Sequence, residues 1–256
     1  MHILVTNDDG VTARGLLALA QEMRNLGEVT VLAPDRIWSA SGHVKTMRRP
    51  LRVSPTTLKD GTSAFTTDGA PSDCVALALL GLLPEPIDLV ISGINPYANL
   101  GTDITYSGTV TAAMEAVIGG VPGIAVSLNT PEGHQGQRNY SPAGRYAYLV
   151  AKQVISHGLP KKTFLSVNVP YLPEEKIKGF QITRQGLRVY RDELVVRDDP
   201  RGRPYYWIGG DTPTSVPEDG TDFSALEAGF VSVTPLQLDL TDYKSLERLR
   251  KWDWDD

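Results

Sequence analysis

Through its first two-thirds the chain alternates short apolar runs with helical stripes, and this order constrains the fold more than any other feature. Runs at 2–6, 29–33, 87–91, 124–128 and 164–169, several rich in Val and Ile, read as strands. Between them Leu16, Leu19, Ala20 and Met23 recur at helical spacing. Cys74, Leu77, Ala78 and Leu82 do so behind Pro71, a residue suited to a first helical turn, and Val110, Ala113, Met114, Val117 and Ile118 form a third stripe. Repeated strand-then-helix order predicts an α/β fold, a mostly parallel sheet with helices on both faces.

The character changes after about residue 170. Segments 180–190, 193–197 and 204–210 alternate as extended hairpins do, around the Pro- and Gly-rich "RDDPRGRP". Residues 230–236 predict a further strand and 242–254 a terminal helix of mixed charge. Long hairpins carrying Tyr205, Tyr206 and Trp207 are more often partner surfaces than isolated arms. The expectation is one domain over 1–256, with 170–256 including a projecting oligomerisation extension.

Composition narrows the function classes. A formal net charge of -5 argues against a nucleic-acid polymer as partner. A single cysteine forms no internal disulfide, and without CxxC or HExxH patterns a structural zinc site has little support. The chain enters a strand at once, with no basic stretch and apolar h-region, and holds no run of about eighteen apolar residues. A cytoplasmic protein without membrane attachment is expected.

Three predicted strands end in polar oxygens. "ILVTNDDG" delivers Asn7, Asp8 and Asp9; "APDRIWSASGH" offers Ser39, Ser41 and His43; "SGINPYANLG" offers Ser92, Asn95 and Asn99. In a parallel sheet these loops share the carboxyl edge, where ligands bind near a switch in strand order. Carboxylates, an amide and a hydroxyl without thiolates suit a hard cation such as Mg²⁺ or Mn²⁺. Adjacent carboxylates repel, and one tends to keep its proton unless a cation removes the conflict. Gly10 lets the backbone turn sharply beside them. Taken alone, NDDG is more commonly turn chemistry, and Ser39 and Asn95 are more commonly loop hydrogen-bond formers. Their placement after successive strands brings the two readings level. His43 is a candidate acid or base, although a loop histidine is more often simply solvated. Cys74, on an apolar stripe, reads as a buried structural thiol.

A second constellation is "YSGTVTAAMEA", where Ser107, Gly108 and Thr109 open the third helical stripe. Such a turn presents free N–H groups and the positive end of the helix dipole, a cradle for phosphate. Plain N-capping by Ser107 or Thr109 is the commoner use, and the two are compatible.

These motifs, together with "DPRGRPYYWIGG" and "GTDFSALEAGFVSVTPL", resemble in order the signatures of the SurE family, stationary-phase survival proteins that are metal-dependent 5′-nucleotidases. The resemblance runs to about residue 240. It implies a Rossmann-like three-layer sandwich with a C-terminal extension exchanged or packed between subunits, giving dimers and sometimes tetramers. It implies one divalent cation per subunit held by Asp8, Asp9, Ser39 and Asn95, and a phosphate turn at Ser107, Gly108 and Thr109 with Asn99 lining the pocket. Nucleoside monophosphates are the implied substrates, with 3′-nucleotides and short polyphosphate accepted by some members. Where the family pattern carries a glycine one residue after SGIN, this chain has Pro96 and Tyr97. That tyrosine narrows the pocket, stacks on a nucleobase or points outward.

The expected mechanism is metal-assisted attack of water on a phosphate monoester, with Asp8 or Asp9 orienting or deprotonating the water. A phosphoaspartate phosphatase would want its acids two apart, and a receiver domain would want an aspartate ending a central strand, where "DLVISGIN" has Ser92 and Asn95. A nucleotide sensor without turnover is the main alternative, and a metal-dependent glycosyltransferase a weaker one.

Overall fold

A computed structural model describes residues 1–254, and of residues 211 and 212 the backbone; the last two residues of the expected extension lie outside the described residues. In chain order the elements are β1 (His2–Thr6), α1 (Arg14–Met23), β2 (Glu28–Pro34), β3 (Val53–Thr57), β4 (Ser63–Thr67), α2 (Pro71–Leu77), β5 (Leu89–Asn95), α3 (Gly108–Ile118), β6 (Gly123–Asn129), α4 (Ser141–His157), β7 (Thr163–Pro170), β8 (Phe180–Ile182), β9 (Arg188–Asp198), β10 (Pro204–Ser215), α5 (Asp222–Glu227), β11 (Val231–Gln237) and α6 (Tyr243–Leu249).

Among the described residues nine strands form one sheet, ordered β3-β4-β2-β1-β5-β6-β7-β11-β8. Its centre is parallel: β1 pairs with β2 on one side and β5 on the other, and β5, β6 and β7 follow in parallel. The chain steps outward from β1 in one direction and then returns to its other side, so β1 stands at the switch point of a doubly wound sheet.

Alternation along β1 explains the three layers. Ile3 and Val5 pack with Leu16, Leu19 and Ala147 under α1 and α4, whereas Leu4 packs with Cys74, Val75 and Ala112 under α2 and α3. Both faces of the strand are buried, so its sequence is apolar from Ile3 to Val5 without alternation. Removing one such side chain, Leu19→Ala for instance, costs about 2–5 kcal/mol.

Two stripes end differently from the sequence expectation. Beyond α2 the helix loosens into a π-helical turn, Ala78–Leu82, that stops where Gly81 adopts a φ of 103°. Leu82 is therefore exposed, as is Ile118 at the end of α3. The strand expected at 87–91 runs instead through Leu89–Asn95, because Ser92 and Ile94 are as buried as the residues before them.

The C-terminal third divides. β11 and β8 return to the main sheet, β11 antiparallel to β7, while β9 and β10 form a separate two-stranded hairpin. Segment 180–190, expected as one extended run, is split between β8 and the start of β9 by a loop that bridges Arg184 to Thr221. No helix among the described residues is long and apolar enough to cross a membrane.

Candidate active site

Because β2, β1 and β5 are parallel neighbours, their carboxyl ends bring the three polar loops to one edge. The "NDDG" segment holds both of its sequence readings at once. Asn7 and Gly10 build the turn: the Asn7 amide donates to the Gly10 carbonyl at 3.1 Å and its Oδ1 accepts the Gly10 N–H at 3.2 Å. Gly10 has a φ of 93°, a left-handed conformation that suits glycine. Asp8 and Asp9 are thereby left free of turn duty.

Asp8 is buried and faces the start of α3. Its carboxylate accepts the Thr109 backbone N–H at 3.1 Å and the Thr109 hydroxyl at 2.6 Å. The approach is close: a Cβ at Gly108 would lie 2.9 Å from the Asp8 Cβ. Ser107 is the N-cap, its Oγ accepting the Val110 N–H at 3.1 Å. Capping is thus present, and the donors of Thr109 point at Asp8. Burial pushes the Asp8 carboxyl up from the ordinary carboxylate value, against the pull of its hydrogen bonds from Thr109 and Gly108.

Asp9 is half-buried and takes no hydrogen bond among the described residues. Burial, and then the charge of Asp8, push its pKa up to about 7, while Arg138 pulls the other way. Asn95 is the final residue of β5 rather than a loop residue; its amide nitrogen donates to the Tyr97 carbonyl at 2.6 Å, and no hydrogen bond reaches its Oδ1 among the described residues. Ser39 is exposed in the loop after β2. The residue before it is pinned to the site, the Trp38 N–H donating to the Asp8 carbonyl at 2.7 Å.

Asn99 is held rather than free. Its amide donates to Ser127 at 2.8 Å, and its backbone N–H donates to Asn168 Oδ1 at 2.9 Å. Asn168 returns a bond to the Asn99 carbonyl at 3.1 Å, fixing the loop after β5 to β7. His43 is engaged elsewhere. Its Nε2 pairs with Glu115 Oε2 at 2.8 Å, and Lys45 donates to the other oxygen at 3.0 Å. Glu115 lies seven residues beyond Gly108, about 10 Å along the helix at 1.5 Å per residue.

Arg138, Tyr140 and Asn168 were not drawn from the sequence. Asn168, polar within the apolar run "SVNVP", carried a readable signal; Arg138 sits in a loop without periodicity.

The donor set fits a hard cation. Two carboxylates pushed upward by burial, Asp9 also by the charge of Asp8, on the same sheet edge as an amide oxygen without a donor, gain from a divalent ion. Among the described residues no group of three or more His, Cys, Asp or Glu gathers as metal ligands, so a cation held here would draw the rest of its shell from neutral oxygens.

Fold and site together define a doubly wound α/β protein with paired carboxylates at the switch point of its sheet and a helix N-terminus set against them. The chain belongs to the SurE family: the family model, survival protein SurE, matches residues 3–192. It is 51% identical over 255 residues to the 5′-nucleotidase SurE of Chloroflexus aggregans, covering 100% of both chains. It is 54% identical over 253 residues to that of Geobacter sulfurreducens, covering 99% of this chain and 94% of the relative. The crystal structure of the SurE protein from Aquifex aeolicus is similar at a TM-score of 0.81 and 40% identity, over 98% of each chain.

Proposed function

We propose that the chain is a metal-dependent phosphatase that hydrolyses nucleoside 5′-monophosphates to nucleoside and phosphate. What supports this is the position of Asp8, Asp9 and Asn95 at the carboxyl ends of the adjacent parallel strands β1 and β5, in a chain half identical over its length to proteins named 5′-nucleotidase SurE. The ion is one Mg²⁺ or Mn²⁺ per subunit, held by Asp8, Asp9, Ser39 and Asn95. Bound there, it supplies Lewis acidity toward a phosphoryl oxygen and a water of lowered pKa.

The chain's own residues do the rest. Asp8, oriented by Thr109, is a fixed ligand. Asp9, whose carboxylate has no hydrogen-bond donor of its own, has lone pairs free to take the proton of an attacking water. The start of α3, residues 107–109, directs its positive end toward the site, and Asn99, fixed by Ser127 and Asn168, is assigned to the same phosphate pocket. No covalent nucleophile is required, because phosphoryl transfer is governed by positioning and charge.

We assign a homodimer or tetramer built through the β9–β10 hairpin, supported by the exposure of Tyr206, Trp207 and Ile208. The compartment is the cytoplasm, in keeping with the free, buried thiol of Cys74.

The test is phosphate release from 5′- and 3′-nucleotides and short polyphosphate, with chelator, Mg²⁺ or Mn²⁺. Metal-restored turnover on 5′-monophosphates is expected. Stoichiometric nucleotide binding without release would make the chain a sensor instead.

A further inference from the structure

Beside Asp9 lies a cavity of about 440 Å³, lined by Asp9, Arg14, Pro96, Arg138 and Tyr140. Arg138 is the fixed cation of this cavity. Its guanidinium carbon sits 5.0 Å from the centroid of the Tyr97 ring, and its Nη2 donates to the Tyr97 hydroxyl at 2.7 Å. Its Nε is buried with no partner. An arginine stacked on an aromatic ring has lost much of its freedom, and an unpaired buried N–H is a donor whose hydrogen bond is still to be made.

The charges around Asp9 call for such a residue. Thr109, whose hydroxyl and N–H open α3, is already bonded to Asp8. Two carboxylates and one divalent cation sum to zero, yet a phosphate monoester brings a charge of about −1.5 to −2 at pH 7. A guanidinium fork matches phosphoryl oxygens better than any other side chain.

Resting on the phosphatase reading above, we propose that Arg138 binds the substrate phosphoryl group on the Asp9 side of the site, and that Tyr97 is its positioning residue. The role of Tyr97 is then neither to fill the pocket nor to point idly outward. It holds a loop arginine by ring face and hydroxyl, through a contact 41 residues apart in the chain.

The test is calorimetric titration of the Mn²⁺-loaded protein with inorganic phosphate, which needs no turnover. Arg138→Gln is expected to weaken phosphate binding roughly 10- to 100-fold, with Arg138→Lys restoring part of it and Mn²⁺ affinity unchanged. Tyr97→Ala weakens phosphate binding in the parent but adds nothing to Arg138→Gln, because it acts through that arginine. A merely structural loss would add in the double variant. The proposal is overturned if Arg138→Gln binds phosphate as the parent does, if the two changes add, or if the parent binds no phosphate. Phosphate binding lost on Arg138→Gln in a parent that releases none from AMP would sink the phosphatase reading and support the Arg138 assignment.

Discussion

Thr109 holds Asp8 with two donors at once, its hydroxyl at 2.6 Å and its backbone N–H at 3.1 Å, so the first turn of α3 fixes a carboxylate on the adjoining strand end. Thr109→Val keeps the shape and removes the hydroxyl. Loss of such an orienting partner lowers metal affinity by about 10- to 100-fold. Electron paramagnetic titration with Mn²⁺ measures it; an unchanged affinity would show that Asp8 needs no holder. Gly108→Ala, which would press a methyl group onto Asp8, should lower Mn²⁺ affinity in the same titration.

The pKa of Asp9 gives a pH dependence of definite sign. Its value rises from the ordinary 3.8 to about 7, by burial and then by the neighbouring Asp8 charge. A raised folded-state pKa stabilises the protein below the unfolded value, and that contribution disappears as pH climbs through about 7. The metal-free protein therefore loses stability between those two values, while a bound cation favours the ionised form. Melting curves with and without Mn²⁺ should draw apart as pH rises across this window, and metal binding below pH 7 should release protons. A gap that stays constant with pH would contradict the assignment.

His43 is predicted to be dispensable for chemistry. With its Nε2 on Glu115, His43→Gln should keep kcat within about threefold of the parent, whereas Glu115→Ala takes the shared acceptor from His43 and Lys45 and costs about 1–3 kcal/mol in urea unfolding. A loss of kcat in His43→Gln beyond about a hundredfold, at unchanged stability, would return the histidine to the mechanism.

Cys74 is fully buried among Leu4, Leu32 and Val75, and burial pushes its thiol well above the usual range. Native protein should resist a thiol reagent and release one thiol per chain in denaturant. Rapid labelling under native conditions would mean that α2 opens readily.

The residues that build the centre of the sheet were legible because physics left them few choices. β1, buried on both faces, carries an unbroken apolar centre from Ile3 to Val5, and its predicted bounds are the observed ones. That the strand ends carrying Asp8 and Asn95 share one edge followed from strand order. Other elements gave weaker signals. β3 and β4, "VSPTT" and "SAFTT", are polar and partly exposed at the sheet edge, so neither alternation nor apolarity marked them. In α4, Ala143, Tyr146, Ala147, Val150, Ala151 and Val154 form a stripe behind Pro142 that is legible in the sequence, although the expectation above does not include this helix. The extension of β5 to Asn95 was hidden because "SGIN" reads as a turn until its burial is known. The clamp of Tyr97 on Arg138 joins two irregular loops, and no local pattern in a sequence encodes such a contact.

The most direct measurement is anomalous diffraction from crystals grown with Mn²⁺. One peak per chain is predicted, at coordination distance of about 2 Å from carboxylate oxygens of both Asp8 and Asp9 and from Asn95 Oδ1. Catalytically active crystals with no peak there, or with manganese bound at some other place in the fold, would contradict the account.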